Sequence, residues 1–541
     1  MQALRAVLIS VAALFAVAAL APLLAQTVAL NDDVDPLTPK SVVGQAPQAP
    51  GAPATVAKSG VAVDPVIVLA QARLAEAQHG KITPAEKHDR EALAAFYAEN
   101  GGQPVWTSPA GPTPRATAAV GELAEAASFG LSGKDVYRVP EVATAFTSAE
   151  AQAEHELAVG LAVLSYARHA RGERLDPSAL SRMIDRKSRP FEPKSVLAAL
   201  AASDDVGATL RRFHPQHVGF QRLQTALVAA LQSHAPAEVI QRLAVNLERW
   251  RWMPDDLGAF HIVNNIPEQL TRVYRDGAVV LTEKIVVGKP GSPTPNMSAD
   301  MQFVIFHPSW GVPAGIKEHE VGPMLARASA RNQSFFGEGG HASRALARHE
   351  LRVSHNGREV NPDSIDWTRA DVRQFHFSQP PSSKNVLGVV KFRFPNRYDV
   401  YMHDTQERNL FNAGTRAFSH GCMRVQNPIH LAEVILAQDK GWSAERVRSH
   451  VPGGRSADIT LNTPVPVHLV YFTATVDDAG KLLTHGDIYG MDARVASALA
   501  GKPVSLAAAK VDTPAQPRRE RNARAKETSA SFNPFAGLFG N

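Results

Sequence analysis

Residues 261–288 read HIVNNIPEQLTRVYRDGAVVLTEKIVVG. His261 to Ile266, Gln269 to Tyr274 and Ala278 to Gly288 are rich in β-branched and aromatic residues, the composition of strands. Arg275-Asp276-Gly277 separates the last two runs, and an Asp-Gly pair in that position signals a tight hairpin. Downstream, Val389–Phe394 and Tyr398–His403 predict two more strands. Val467–Val476 and Lys481–Tyr489 predict a further hairpin across Asp478-Ala479-Gly480. Helical stretches at Ile316–Ala330 and Pro428–Gln438 interrupt the strands. Residues 246–495 thus predict a mixed, mainly β domain.

Upstream the period changes to that of helices. Residues 66–245 predict a mainly helical domain, so the chain is α+β and multidomain. Pro65 to Gly80 is rich in Ala and Leu and ends on glycine. Thr83-Pro84-Ala85-Glu86 has the form of a capping box with proline at the first helical position. Ala153–Arg171 places Leu157, Leu161 and Leu164 on one face, a core stripe. His155 and His169 are expected on its solvated side, without ligand roles. No metal or phosphate motif occurs here.

The two ends read differently. Ala6 to Ala25 is an uncharged run after Arg5, either a secretory signal or a retained membrane anchor. Pro22 obstructs cleavage after Ala19-Leu20-Ala21, which leaves both readings open. Either one sends the chain out of the cytoplasm. Residues 26–65 contain Pro36, Pro39, Pro47, Pro50, Pro53 and Pro65 and predict an extended spacer. Residues 496–541 predict a low-complexity tail.

The formal net charge is +5, and Lys510–Lys526 holds six basic against two acidic residues. The excess sits in the tail, and the body is near neutral, so nucleic-acid binding is not indicated. Hydrophobic residues are 44% and charged residues 20%, which excludes a wholly disordered chain. One cysteine excludes an internal disulfide and any multi-cysteine metal site.

That cysteine stands in Ser419-His420-Gly421-Cys422-Met423-Arg424. Asn427 and Pro428 predict the start of a helix just beyond it. A nearby helix N-terminus, imidazoles and Arg424 would favour the thiolate, which is the nucleophilic form. The N–H groups of Gly421 and Cys422 are candidates for an oxyanion hole. The base is either His420 or His403; alternation along Tyr398–His403 places Asp399, Tyr401 and His403 on one face. A buried inert cysteine, a zinc site of His403, His420 and Cys422, and a Ser419 nucleophile are rival readings. They lack, respectively, an apolar setting, an H-E-x-x-H or C-x-x-C motif, and a G-x-S-x-G context.

Tyr401-Met402-His403-Asp404-Thr405, a gap of 15 residues (404–418) after the histidine, and the S-H-G-C-x-R string together resemble the signature of the YkuD-type L,D-transpeptidases. Asn246 to Pro254, Val263 to Pro267, Pro308 to Pro313, Val390 to Asn396 and Asp487 to Gly490 are similar to the large YcbB-like subgroup, as are Phe96-Tyr97, Pro104 to Trp106 and Leu123 to Leu131. The resemblance covers about residues 85–492. It implies a helical scaffold domain, then a β-rich catalytic domain with a capping insertion at about 311–385, whose Gly337, Gly339 and Gly340 suit a mobile lid. The subgroup often adds a peptidoglycan-binding module of about 60 residues, for which only Pro215–Leu243 is available.

The resemblance also implies roles. Cys422 would be the nucleophile and His403 the general base, oriented by the backbone carbonyl of Asp404. His420 and Gly421 would support the oxyanion. Arg424, Ser419, Tyr401, Asp404 and Trp310 would shape the substrate site. A donor tetrapeptide stem would form a thioester with Cys422, and the diaminopimelate amine of an acceptor stem would resolve it into a 3→3 cross-link. Neither a metal nor another cofactor is needed. Carbapenems would acylate the same cysteine. Water as acceptor would give an L,D-carboxypeptidase, and a protein amine would give an anchoring enzyme for outer-membrane proteins. A non-catalytic wall-binding scaffold is the reading of another class. The implied location is the periplasm, with retention at the inner membrane if the N-terminal run is an anchor.

Overall fold

A computed structural model describes residues 62–77, 82–131, 137, 139, 145–332 and 340–504. The N-terminal run, the spacer up to residue 61, the tail from 505, and Gly337 and Gly339 lie outside the described residues. Among the described residues, no helix is long and apolar enough to cross a membrane.

Helices Pro65–Ala77, Pro84–Glu99, Pro114–Ala124, Ala149–Ala170 and Pro193–Ala202 share one core. Thr83 closes the expected capping box with Glu86. The central helix starts earlier than its apolar stripe, because Ser148 caps it by accepting from the N–H of Ala151. It is buried nearly all round, which corrects the expectation for its histidines. His155 is buried. His169 Nδ1 shares a 2.6 Å hydrogen bond with the Tyr137 hydroxyl, and burial pushes its pKa down to about 3. An all-round buried helix has no solvated side for a histidine to occupy. On the same helix Glu156 is fully buried and accepts from the Tyr97 and Thr107 hydroxyls and from the N–H groups of Val105 and Trp106, at 2.8–3.0 Å. One carboxylate thereby ties three chain segments together.

Helices Val218–Gln232 and Ala237–Arg251 form an antiparallel pair over the Pro215–Leu243 region. Phe220, Leu223, Leu227, Leu243 and Leu247 share a core with Ala474 of the C-terminal hairpin Ala474–Val476/Leu482–Thr484.

The main sheet has ten strands and closes on itself. Val390–Arg393 pairs on one side with Met402–His403 and on the other with Asn296–Phe306. The path continues from Met402–His403 through Met423–Val425, Ala278–Gly288, Leu270–Arg275, Phe260–Asn265 and Ala457–Val470 back to Asn296–Phe306. Closure removes the exposed edges that an open sheet of this size would present. Its interior is packed with Ile262, Val273, Met301, Val304, Phe392, Met402 and Met423.

Ile184–Asp185, from the helical half of the chain, pairs in parallel with Asn296–Met297 as a further strand. The next residue, Arg186, is buried and donates to Asn296 Oδ1, Ser298 Oγ and the carbonyls of Met297 and Leu469 at 2.5–2.9 Å. The division at 245/246 expected from sequence therefore does not fall on a packing boundary.

Between Trp310 and Gln379 the chain builds a second unit on the barrel. Its four-stranded sheet runs Arg358–Glu359, Arg352–His355, Phe375–Gln379, Trp310–Gly311. Helices Gly322–Asn332 and His341–Arg348 pack on it around Leu325, Leu346, Val353, Trp367 and Phe377. Cys422 packs against both this core and the barrel core, so it lies at their seam.

Candidate active site

Strand register brings the catalytic candidates together. Met402 pairs with Met423, and His403 with Arg424, across parallel strands. The N–H of Met423 donates to the carbonyl of Tyr401 at 3.0 Å, which sets Cys422 beside Tyr401. The predicted strand Tyr398–His403 is shortened to its last two residues, because Asp399 has φ +50° and breaks the alternation. Tyr401 and His403 nevertheless face the same pocket.

The pocket measures about 360 Å³ and lies between barrel and inserted unit. Cys422, His403, His420, Arg424, Ser419, Tyr401 and Trp310 all line it. Gly421 and Asp404 do not, and both act from behind. His403 Nδ1 donates to the Asp404 carbonyl at 2.5 Å. That bond places the proton on Nδ1 and leaves Nε2 as the basic nitrogen. The Asp404 side chain is held in turn by the N–H groups of Val389 and Thr405, at 2.8 and 2.7 Å, and by Arg408. Gly388 must lack a side chain here, since a Cβ would come within 2.2 Å of Asp404 Oδ2.

His403 is buried, and burial, then the neighbouring Arg424, lower its pKa to about 3. The imidazole is neutral and able to accept a proton. Arg424 is itself paired with Glu407.

The thiol corrects the sequence expectation. Burial raises the Cys422 pKa to about 11, against smaller favourable effects of Tyr401 and Lys391. The expected helix, which runs Pro428–Lys440, starts six residues on, and Asn427 does not cap it with its side chain. Its amide goes instead to Glu283 at 2.8 Å. A dipole that falls off within one turn does not offset desolvation at that remove.

The loop is held from within. Ser419 Oγ donates to the Cys422 carbonyl at 2.6 Å and accepts from the Gly421 N–H at 3.2 Å. Gly421 has φ +114°, and its carbonyl accepts from Thr294 Oγ1 at 2.8 Å. Thr294 Oγ1 also accepts from the N–H of Gly288 at 2.9 Å. The Gly421 N–H is thus engaged by Ser419, and of the two N–H groups expected at the oxyanion only that of Cys422 is not spent on this loop.

Sequence reasoning missed three neighbours. Lys391 stands opposite His403 in the adjacent strand, with Nζ 3.7 Å from the Tyr401 ring centre. A lysine inside a strand that packs the barrel core was the available signal. Lys289 and Glu320 also line the pocket, and no local pattern marks them; Asp399, expected on the face of His403, lines it as well. His420 Nε2 lies 2.5 Å from Glu320 Oε1 and 3.0 Å from Lys289 Nζ, so its imidazole faces the inserted unit. Among the described residues, no group of three or more His, Cys, Asp or Glu is placed to hold a metal.

Residues 259–467 match the family model of the L,D-transpeptidase catalytic domain, YkuD, and residues 91–227 match that of the Scaffold domain. The chain thus carries a YkuD L,D-transpeptidase catalytic domain behind an N-terminal scaffold domain. A Haemophilus influenzae protein named "Putative L,D-transpeptidase" is 29% identical over 282 residues, 52% of this chain and 53% of that protein. The chain thus spans about half the length of the curated relative it matches.

Proposed function

We propose that the protein is a cysteine L,D-transpeptidase that forms 3→3 cross-links between peptidoglycan stem peptides. The hydrogen bond from His403 Nδ1 to the Asp404 carbonyl carries this reading, because it leaves a neutral Nε2 facing the pocket that holds Cys422. His403 takes the thiol proton as sulfur attacks the carbonyl carbon of the donor's third residue, diaminopimelate. The Cys422 N–H meets the developing oxyanion. The tetrahedral intermediate collapses, the bond to the terminal D-alanine breaks, and His403 returns the proton to the leaving amine. The acceptor's diaminopimelate amine then attacks the thioester, His403 takes its proton, and the proton passes to the departing sulfur.

A raised thiol pKa fits this sequence. The proton leaves only as the carbonyl arrives, so the resting enzyme does not expose a reactive thiolate in an oxidising compartment. The unit at 311–385 covers the substrate, and Trp310, Tyr401, Ser419 and Arg424 shape the pocket beneath it. The protein works in the periplasm, exported through residues 1–25, and the spacer at 26–65 sets it away from the inner membrane if that run stays as an anchor.

Purified disaccharide-tetrapeptides, incubated with the protein and separated by liquid chromatography with mass detection, test the acceptor. Tetrapeptide–tripeptide dimers are expected. Tripeptides alone would make it an L,D-carboxypeptidase, and tripeptides formed only with a lysine-bearing protein would make it an anchoring enzyme. Intact muropeptides under all three conditions would contradict the acyl-transfer reading.

A further inference from the structure

Directly opposed residues on neighbouring strands share one face of a sheet. Arg424 opposes His403, His403 opposes Lys391, Lys391 opposes Ile305, and Ile305 opposes Asp458. His403 therefore stands between two cations, on the face away from Phe392, Met402 and Met423, which fill the barrel. The two cations differ in what they meet. Arg424 is paired with Glu407. Lys391 is half-buried with its Nζ over the Tyr401 ring, and among the described residues no ion pair or side-chain hydrogen bond engages its ammonium.

Tyr401 links that ammonium to the reacting pair. Its ring centre lies 3.7 Å from Lys391 Nζ and 5.7 Å from the centre of the His403 ring, and its backbone and side chain both approach Cys422. The ring quadrupole attracts the ammonium and fixes where the charge sits, but a neutral ring is not a counter-ion. Burial lowers the pKa of Lys391, and of the charges around it Cys422 raises it most, ahead of Asp399 and Asp458, while Arg393 lowers it. Both aspartates are exposed, so water screens them. The full balance comes only when an anion forms at Cys422 or at the carbonyl it attacks.

We propose that Lys391 is a positioning residue for acyl transfer, which acts from the Tyr401 ring to balance the negative charge that builds on sulfur and on the attacked carbonyl oxygen. The inference rests on the reading of Cys422 as the acyl-accepting nucleophile. No proton passes through Lys391. Against the effect of burial, it lowers the pKa of the thiol; together with burial and Arg424, it lowers that of His403. The sulfur thus takes up charge more readily, and the imidazolium returns its proton more readily to the leaving amine.

The test compares the full chain with Lys391→Met, Lys391→Gln and Lys391→Arg, each shown to be folded by circular dichroism. Two rates are read by mass spectrometry: acylation by a carbapenem, and alkylation by iodoacetamide from pH 7 to 10. Met and Gln both remove the charge at nearly the length of lysine, and either one suffices. Losing a nearby opposite charge raises a thiol pKa by about one unit or more, which, after the gain in nucleophilicity, slows alkylation roughly 3-fold at each pH. The same loss in the transition state should slow acylation at saturating drug roughly 10-fold, with little change in the half-saturating concentration. Lys391→Arg keeps the charge and stacks on aromatic rings, so both rates should return. A variant that merely loosens the site would admit water to the sulfur, lower its pKa and speed alkylation. Unchanged or faster alkylation in the neutral variants would therefore overturn the proposal, as would unchanged acylation, or an arginine variant as slow as they are. A folded wild type that takes no carbapenem would instead refute Cys422 as the acyl acceptor, and this inference with it.

Discussion

His403 and Arg424 face each other across a parallel pair of strands, so the candidate base has a guanidinium as its lateral neighbour. Burial and that cation hold the imidazole neutral, with a pKa of about 3 against 6.5 for a free histidine. A lowered histidine pKa means that the neutral, proton-accepting form persists as pH falls. The kcat/KM for acylation should therefore show no acid limb between pH 5 and 8. A limb near pH 6.5 would mean that His403 titrates freely. Arg424→Met removes the second cause only, so any limb in that variant should move upward yet stay below 6.5.

The thiol should be sluggish toward reagents that do not engage His403. With its pKa at about 11 rather than 9, the thiolate fraction at neutral pH falls about 100-fold. Greater intrinsic nucleophilicity recovers part of that loss, which leaves roughly a 10-fold deficit against an ordinary cysteine. Iodoacetamide labelling followed by mass spectrometry should rise with pH through 9 and level only near 11. A plateau below pH 8 would restore the activated thiolate expected from sequence.

The carbonyl that orients His403 depends on Asp404, and Asp404 depends on Gly388. Gly388→Ala forces a side chain at φ +60° into contact with Asp404 Oδ2. Acylation of Cys422 should fall about 100-fold or more, the usual cost of displacing a catalytic group by an ångström. Circular dichroism should remain native. Undiminished acylation would mean that the Asp404 bond to His403 does not orient the base.

Thr294 Oγ1 bonds both the N–H of Gly288 and the carbonyl of Gly421. Thr294→Val leaves a buried donor and a buried acceptor unmet, at about 1–3 kcal/mol each. The loop that carries Cys422 should loosen, lowering kcat by about 10- to 100-fold with little change in KM. A change confined to KM would place Thr294 in substrate binding instead.

In the scaffold, Glu156→Leu strips four donors of their acceptor. The loss should be about 3–5 kcal/mol, or roughly 6–15 °C in the first thermal transition. Calorimetry that shows an unchanged first transition would contradict the role assigned to this carboxylate.

Local chemistry explains what sequence made legible. The hairpin at Asp276-Gly277, the capping box at Thr83 and the turn at Asp478–Gly480 depend on neighbours along the chain, and all three stand where they were expected. Cys422 and His403 are 19 residues apart, and a short parallel pairing suffices to join them. What escaped depends on distant chain. The burial that raises the thiol pKa comes from packing at the seam of two cores. Glu320 approaches from 100 residues away, and Ile184–Asp185 joins a sheet whose other strands all begin after residue 259. Asn427 looks like a cap in sequence but faces Glu283, a partner that only the fold supplies.

Intact-protein mass spectrometry with a carbapenem shows whether Cys422 takes the acyl group. Full chain, Cys422→Ala and His403→Ala are incubated with the drug and weighed. A one-to-one adduct on wild type, none on Cys422→Ala, and formation slowed at least 100-fold on His403→Ala is the predicted result. An adduct that persists on Cys422→Ala, or a folded wild type that stays unmodified, would contradict the assignment of Cys422 as the acyl-accepting nucleophile.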